Sequence, residues 1–199
     1  MEITTALIKE LREATSAGVL DCRKALQESD GDLEGAAAIL REKGLAAVAK
    51  RAGRQASEGL IEAYVHPGSR VGVLLELNCE TDFVARTDAF QNLAHELALH
   101  IAFASPCYLT RDEIPEESLE QEKQIYRAQA LEEGKPERIV DQIISGRLDK
   151  FYGQACLMEQ PFIKDEDRTI EDLINDAIAK LGENIVLRRF ARFERGEGA

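Results

Sequence analysis

Apolar and polar positions along this chain switch between a helical period and a strand period, and the switches mark its elements. Leu7, Ile8 and Leu11 recur at helical spacing and predict a first short helix, broken at Thr15-Ser16-Ala17-Gly18. A second helix is expected around Leu20 to Glu28, with Cys22, Ala25 and Leu26 inward. Ser29-Asp30-Gly31-Asp32 predicts a turn, from which Asp32 can cap a third helix burying Leu33, Ala36, Ala37 and Leu40. Gly44 suits the stop of that helix. So small a bundle has little apolar area to bury and is expected to be only marginally stable alone. Residues 46–59, with Lys50, Arg51, Arg54 and two glycines, read as a linker with some helix in it.

The period then becomes two. Leu60 to His66 alternates, Pro67-Gly68-Ser69 turns, and Val71 to Cys79 returns as the second arm of a β-hairpin. Val71, Val73, Leu75, Leu77 and Cys79 share one face, while Glu76, Asn78 and Glu80 share the other. Thr87 to Ala104 is a predicted helix with Phe90, Leu93, Ala94, Leu97 and Ile101 on one side. Glu116 to Glu133 and Glu137 to Met158 follow as a helical hairpin around Gly134-Lys135-Pro136. Ile125, Leu131, Ile139, Ile143 and Leu148 give it a modest seam. A last helix, Ile170 to Leu181, has Asp167 or Thr169 as its cap and Gly182 as its stop. Asn184 to Glu194 alternates again, with Ile185, Leu187, Arg189, Ala191 and Phe193 opposite Val186, Arg188, Phe190 and Arg192. The expected class is α+β: an N-terminal three-helix bundle, then a three-stranded antiparallel sheet with helices and a helical hairpin. The predicted division is residues 1–54 against residues 55–199.

Composition narrows the function classes. The 199 residues are 44% hydrophobic and 31% charged, which fits one ordinary core plus a small satellite domain. A net charge of −12 argues against broad binding to nucleic acid, because phosphate neutralisation needs lysine and arginine. Lys43 to Arg54 is a local exception. No run of about 18 apolar residues occurs, so no membrane span is expected. The opening Met-Glu-Ile-Thr-Thr carries no basic segment followed by an apolar stretch, so no secretory signal is expected either. The four cysteines are scattered without a Cys-x-x-Cys pair, which suits reduced thiols in the cytoplasm. His66, His95 and His100 form no metal-ligand spacing, and no nucleotide-binding glycine fingerprint is present. No metal, cofactor or catalytic set can be assembled, and the chain reads as a binder rather than an enzyme.

One junction stands out against that background. Leu77-Asn-Cys-Glu-Thr-Asp-Phe-Val-Ala-Arg86 runs from a strand into a turn that holds an aromatic ring between Asp82 and Arg86. Two readings stand. Phe83 is a staple packed under the helix start, with Thr81 or Asp82 as a cap; or a rigid scaffold presents the loop outward.

That segment, Leu11 to Leu26 (LREATSAGVLDCRKAL) and Gly182 to Arg189 (GENIVLRR) together resemble the bacterial elongation factor Ts family. Its members are nucleotide exchange factors of the GTPase elongation factor Tu. The resemblance covers essentially the whole chain. It implies an N-terminal bundle like ubiquitin-associated domains, and a partner met in its GDP-bound and nucleotide-free states. Thr81, Asp82, Phe83 and Val84 match the family's segment in which an Asp-Phe pair reaches the partner's nucleotide-bearing domain, the ring wedging between helices near its magnesium. Arg12, Val19 and Leu20 are nominated as the N-terminal docking residues. Many relatives have two methionines where Val19-Leu20 stands and glycine where Ser16 stands. Many also have a second, similar subdomain in a longer core, so this resembles a short form. A homodimer is expected, joined through the closing strand or the helical hairpin. Two other readings keep a place: a general adaptor that binds a protein through its apolar knob, and an RNA-associated translation protein using Lys43–Arg54.

Overall fold

A computed structural model describes residues 3–15 and 17–197. Ser16, in the predicted break between the first two helices, lies outside the described residues, as do Met1, Glu2, Gly198 and Ala199. In chain order the elements are α1 (Thr5–Thr15), α2 (Val19–Glu28), α3 (Leu33–Arg51), β1 (Glu58–Val65), β2 (Val71–Cys79) and α4 (Asp82–Ala85). Then come α5 (Asp88–Ala104), α6 (Glu116–Glu132), α7 (Glu137–Ala155), β3 (Pro161–Phe162), β4 (Asp165–Thr169), α8 (Ile170–Leu181) and β5 (Val186–Glu194). The sheet has the order β1-β2-β5, beside a two-stranded β3-β4 ribbon. Two compact units emerge from the contacts. One gathers Met1–Gly59, Asn78–Gln91 and Ile174–Val186; the other gathers Leu60–Leu77, Asn92–Leu173 and Leu187–Ala199.

In the first unit, α1 to α3 close over Leu11, Cys22, Ala25, Leu26 and Ala36, with Leu7, Ile8, Leu33 and Leu40 packed around them. The turn after α2 is built by the backbone. Asp30 takes a left-handed φ of 53°, Gly31 N donates to Leu26 O at 2.8 Å, and Asp30 N donates to Gln27 O at 3.4 Å. Together these close the end of the helix. Asp32 then caps α3, its Oδ2 accepting from Gly35 N at 2.8 Å. The predicted stop at Gly44 is overturned, since α3 continues to Arg51. Leu45 to Arg51 is rich in alanine and other helix formers, which offset the ~1 kcal/mol cost of one interior glycine. A Cβ at Gly44 would stand 3.9 Å from Ala179 of α8, so the helix passes close to α8 there.

In the second unit, Val73, Leu75 and Leu77 of β2 are buried, as are Leu93, Leu97 and Ile101 of α5. Hairpin α6–α7 has its own small core of Ala130, Val140, Ile144 and Leu148. Two expected seam residues, Ile125 and Leu131, face solvent instead. Ala130 and Val140 take the interior, because the tight Gly134 turn sets which stripe of α6 meets α7. Helix α7 stops at Ala155, and Met158 falls in a 3-10 turn. The β3–β4 ribbon has no counterpart among the predicted elements. Strand β5 departs from strict alternation: Leu187 is buried, Arg188 and Arg189 are both exposed, and Phe190 and Arg192 then turn inward. The side chains differ accordingly: Arg189 Nε donates to Glu76 Oε2 at 2.7 Å, and Arg192 Nε to Ala102 O at 3.4 Å.

Candidate functional site

Strand β2 buries Cys79 as its last inward residue, and the chain then turns into the single turn of α4. Thr81 caps that turn, accepting from Val84 N at 3.4 Å through Oγ1. The cap is therefore Thr81, not Asp82. The Cys79 thiol donates to Thr81 O at 3.1 Å. Burial, reinforced by the nearby Glu183 charge, pushes that thiol up to about 11, so it stays protonated and keeps donating.

A one-turn helix points positions two apart to nearly opposite sides, roughly 200° around its axis. Ala85 takes the inner side and is buried. Phe83 takes the outer side with 79% of its surface exposed. The staple reading is overturned: the apolar place near the start of α5 is filled by Phe90, fully buried. Asp82 pairs with Arg86 Nη2 at 2.8 Å, an exposed i,i+4 contact.

What holds this turn comes from more than a hundred residues further on. The Glu183 carboxylate accepts from Glu80 N at 3.1 Å, Thr81 N at 3.0 Å and Thr81 Oγ1 at 2.6 Å. Glu80 answers in the other direction, its Oε1 accepting from Asn184 N at 2.7 Å. Arg54 Nη1 reaches the same Glu80 oxygen at 3.5 Å, and Asn184 Nδ2 donates to Arg54 O at 2.8 Å. Arg51, at the end of α3, donates from Nε to Gly182 O at 2.9 Å. Hydrogen bonds to charged groups contribute about 1.5–3 kcal/mol each, twice the neutral kind. The turn is thus clamped from both sides by reciprocal carboxylates.

Of the sequence-nominated residues, Thr81, Asp82, Phe83 and Val84 fall together on this clamped turn. Arg12 lies exposed on α1, and Val19 and Leu20 open α2 with 51% and 71% of their surfaces exposed. Within the basic stretch, Lys43 bonds Glu28 at 2.8 Å, and Arg51 and Arg54 are engaged as above. Among the described residues no group of three or more His, Cys, Asp or Glu could hold a metal ion. No helix among them is long and apolar enough to cross a membrane.

A profile of the family described as Elongation factor TS matches residues 4–177. The elongation factor Ts of Caldanaerobacter subterraneus subsp. tengcongensis is 60% identical over 196 residues, covering 98% of each chain. That of Moorella thermoacetica is 61% identical over 196 residues, covering 98% of this chain and 97% of the relative. This chain belongs to the elongation factor Ts family. Elongation factor Ts is the nucleotide exchange factor of elongation factor Tu, and it acts by binding its partner rather than as an enzyme.

Sequence reading missed Glu183 and Glu80 as the residues that hold this turn. The only available signal was that Gly182-Glu183-Asn184 opens one of the three segments carrying the resemblance. Nothing local in that segment shows that its carboxylate folds onto the Thr81 turn.

Proposed function

We propose that Phe83, flanked by Asp82 and presented on the Thr81–Val84 turn, is the element that loosens GDP from elongation factor Tu, and that Arg12, Val19 and Leu20 dock the N-terminal module. The single observation behind this is a phenylalanine 79% exposed on a clamped one-turn helix. A large ring left in water without a folding role is available for burial in another molecule.

Its effect follows from the way a GTPase holds nucleotide, through backbone amides, a lysine and a magnesium ion. A ring pushed between two partner helices near that magnesium displaces those ligands, because packed elements move in discrete steps. Burying one phenylalanine side chain is worth about 1.5–3 kcal/mol. Coupled fully to nucleotide affinity, that is roughly a 10- to 100-fold loss. Linkage makes the effect reciprocal: GDP weakens this protein's grip by the same factor. GTP then rebinds and expels the factor.

Residues 1–54 serve in this reading as the partner-docking module, and residues 55–199 as the core that also dimerises. The second copy meets the sheet face carrying Ile61, Val65, Leu74 and Phe193, all exposed large hydrophobics. Apolar residues recurring along one exposed sheet face suit a self-complementary interface. The protein works in the cytoplasm, with no metal or cofactor of its own and no direct contact with nucleic acid.

The test is stopped-flow release of fluorescent GDP from elongation factor Tu. Phe83→Ala is expected to slow the stimulated release about 10- to 100-fold while leaving the unfolding temperature unchanged. Release at the wild-type rate overturns the wedge, and binding without accelerated release points to a plain adaptor.

A further inference from the structure

We propose that Glu183 is a positioning residue for exchange: its carboxylate fixes the pitch of the Thr81–Val84 turn and so aims Phe83. The inference rests on the reading of Phe83 just given and adds to it a residue whose carboxylate is taken up by donors of its own chain. Three donors converge on this one carboxylate, namely Glu80 N, Thr81 N and Thr81 Oγ1, at 3.1, 3.0 and 2.6 Å. They are the donors immediately before α4, so their geometry sets where the helix starts and which way position 83 points. Thr81 would cap Val84 without help, but its hydroxyl rotates freely until a strong acceptor takes its proton. Glu183 supplies that acceptor, which leaves the Thr81 oxygen lone pairs turned toward Val84 N.

The same clamp extends to the three-helix module. Arg51 of α3 holds Gly182 O, directly before Glu183, and Arg54 meets Glu80 and Asn184. The chain that leaves the docking helices is therefore bonded to the residues that aim the ring. The docking helices and the turn thus share a hydrogen-bonded route through Gly182, Asn184 and Glu80.

This assigns a separable signature to Glu183. Maximal release at saturating factor should depend on it, whereas the concentration giving half-maximal release, set by docking, should not. Glu183→Gln keeps the size of the side chain and one oxygen for the two backbone N–H groups, but it puts a donating NH2 where the Thr81 hydroxyl needs an acceptor. The expected result is a maximal release rate reduced by about tenfold, with the half-maximal concentration within about twofold of wild type. The decisive measurement is a double-mutant cycle. In a Phe83→Ala background, Glu183→Gln should have no further effect, because there is no ring left to aim. An unchanged maximal rate, or the same fold-loss with and without Phe83, overturns the proposal. Glu80→Gln, which weakens the clamp from the other side, should reproduce the pattern if Glu183→Gln fails to fold, and additivity with Phe83→Ala overturns it equally. Failure of Phe83→Ala itself to slow release is a different outcome: it removes the wedge, and with it anything for Glu183 to position.

Discussion

Asp82→Ala separates two jobs that one carboxylate could do on this turn. Capping falls to Thr81, so the folded state loses only the contact with Arg86, whose side chain is 78% exposed. Exposed pairs of this kind contribute about 0–1 kcal/mol, so thermal stability should barely move. Stimulated GDP release should nevertheless slow by severalfold, if the carboxylate acts on the partner's magnesium site. Intact release reduces Asp82 to the partner of Arg86. At this scale the sequence was half legible. The alternation of β2 put Val71, Val73, Leu75, Leu77 and Cys79 on one face; the last four are buried and Val71 is half-buried. The orientation of Phe83 was not legible, because a ring one turn ahead of a helix has the same local pattern whether stapled or displayed. Its fate is decided by Ala85 and Phe90 competing for the interior. Glu183 was invisible for a simpler reason: its bond to Thr81 N spans 102 positions.

At the scale of elements, periodicity located the helices and the long strands, and it failed where a segment was too short or a helix too persistent. The β3–β4 ribbon has only two and five residues in its strands, below the length at which alternation is distinguishable from chance. That ribbon is tied to α5 by a fully buried histidine. His100 Nε2 faces Gln160 Oε1 at 2.9 Å, and Nδ1 accepts from Ile163 N at 3.4 Å, so the neutral ring satisfies both neighbours. Burial lowers its pKa below the ordinary 6.5, partly opposed by the bond to Gln160. With the folded value below the unfolded one, the unfolded chain binds the extra proton first. Stability from this site is complete above about pH 6.5 and is lost as pH falls from there toward the folded pKa, by up to ~1.4 kcal/mol per pH unit. Urea midpoints measured between neutral pH and pH 5 should fall accordingly. His100→Asn should flatten that slope, and an identical slope would show that other groups cause it.

Across the whole molecule, the predicted class held: three helices, then a sheet with helices and a helical hairpin. Sedimentation of the wild-type chain should give a dimer, and Leu74→Arg, in the middle strand of the sheet, should give a monomer that still unfolds cooperatively. A wild-type monomer would remove the proposed interface altogether. The continuation of α3 to Arg51 has a consequence of another kind, for how the chain withstands digestion. An enzyme that cuts after basic residues must draw its substrate out into an extended stretch, and such stretches are found in loops rather than in hydrogen-bonded helices. Lys43, Lys50 and Arg51 all lie within a continuous helix about 28 Å long. Arg54 alone among these cations sits in the short bend before β1. Trypsin should therefore find its first opening in this region beside Arg54, once the bonds of that residue to Glu80 and Asn184 release, and a nick there would sever the one covalent path between the docking helices and the rest of the chain.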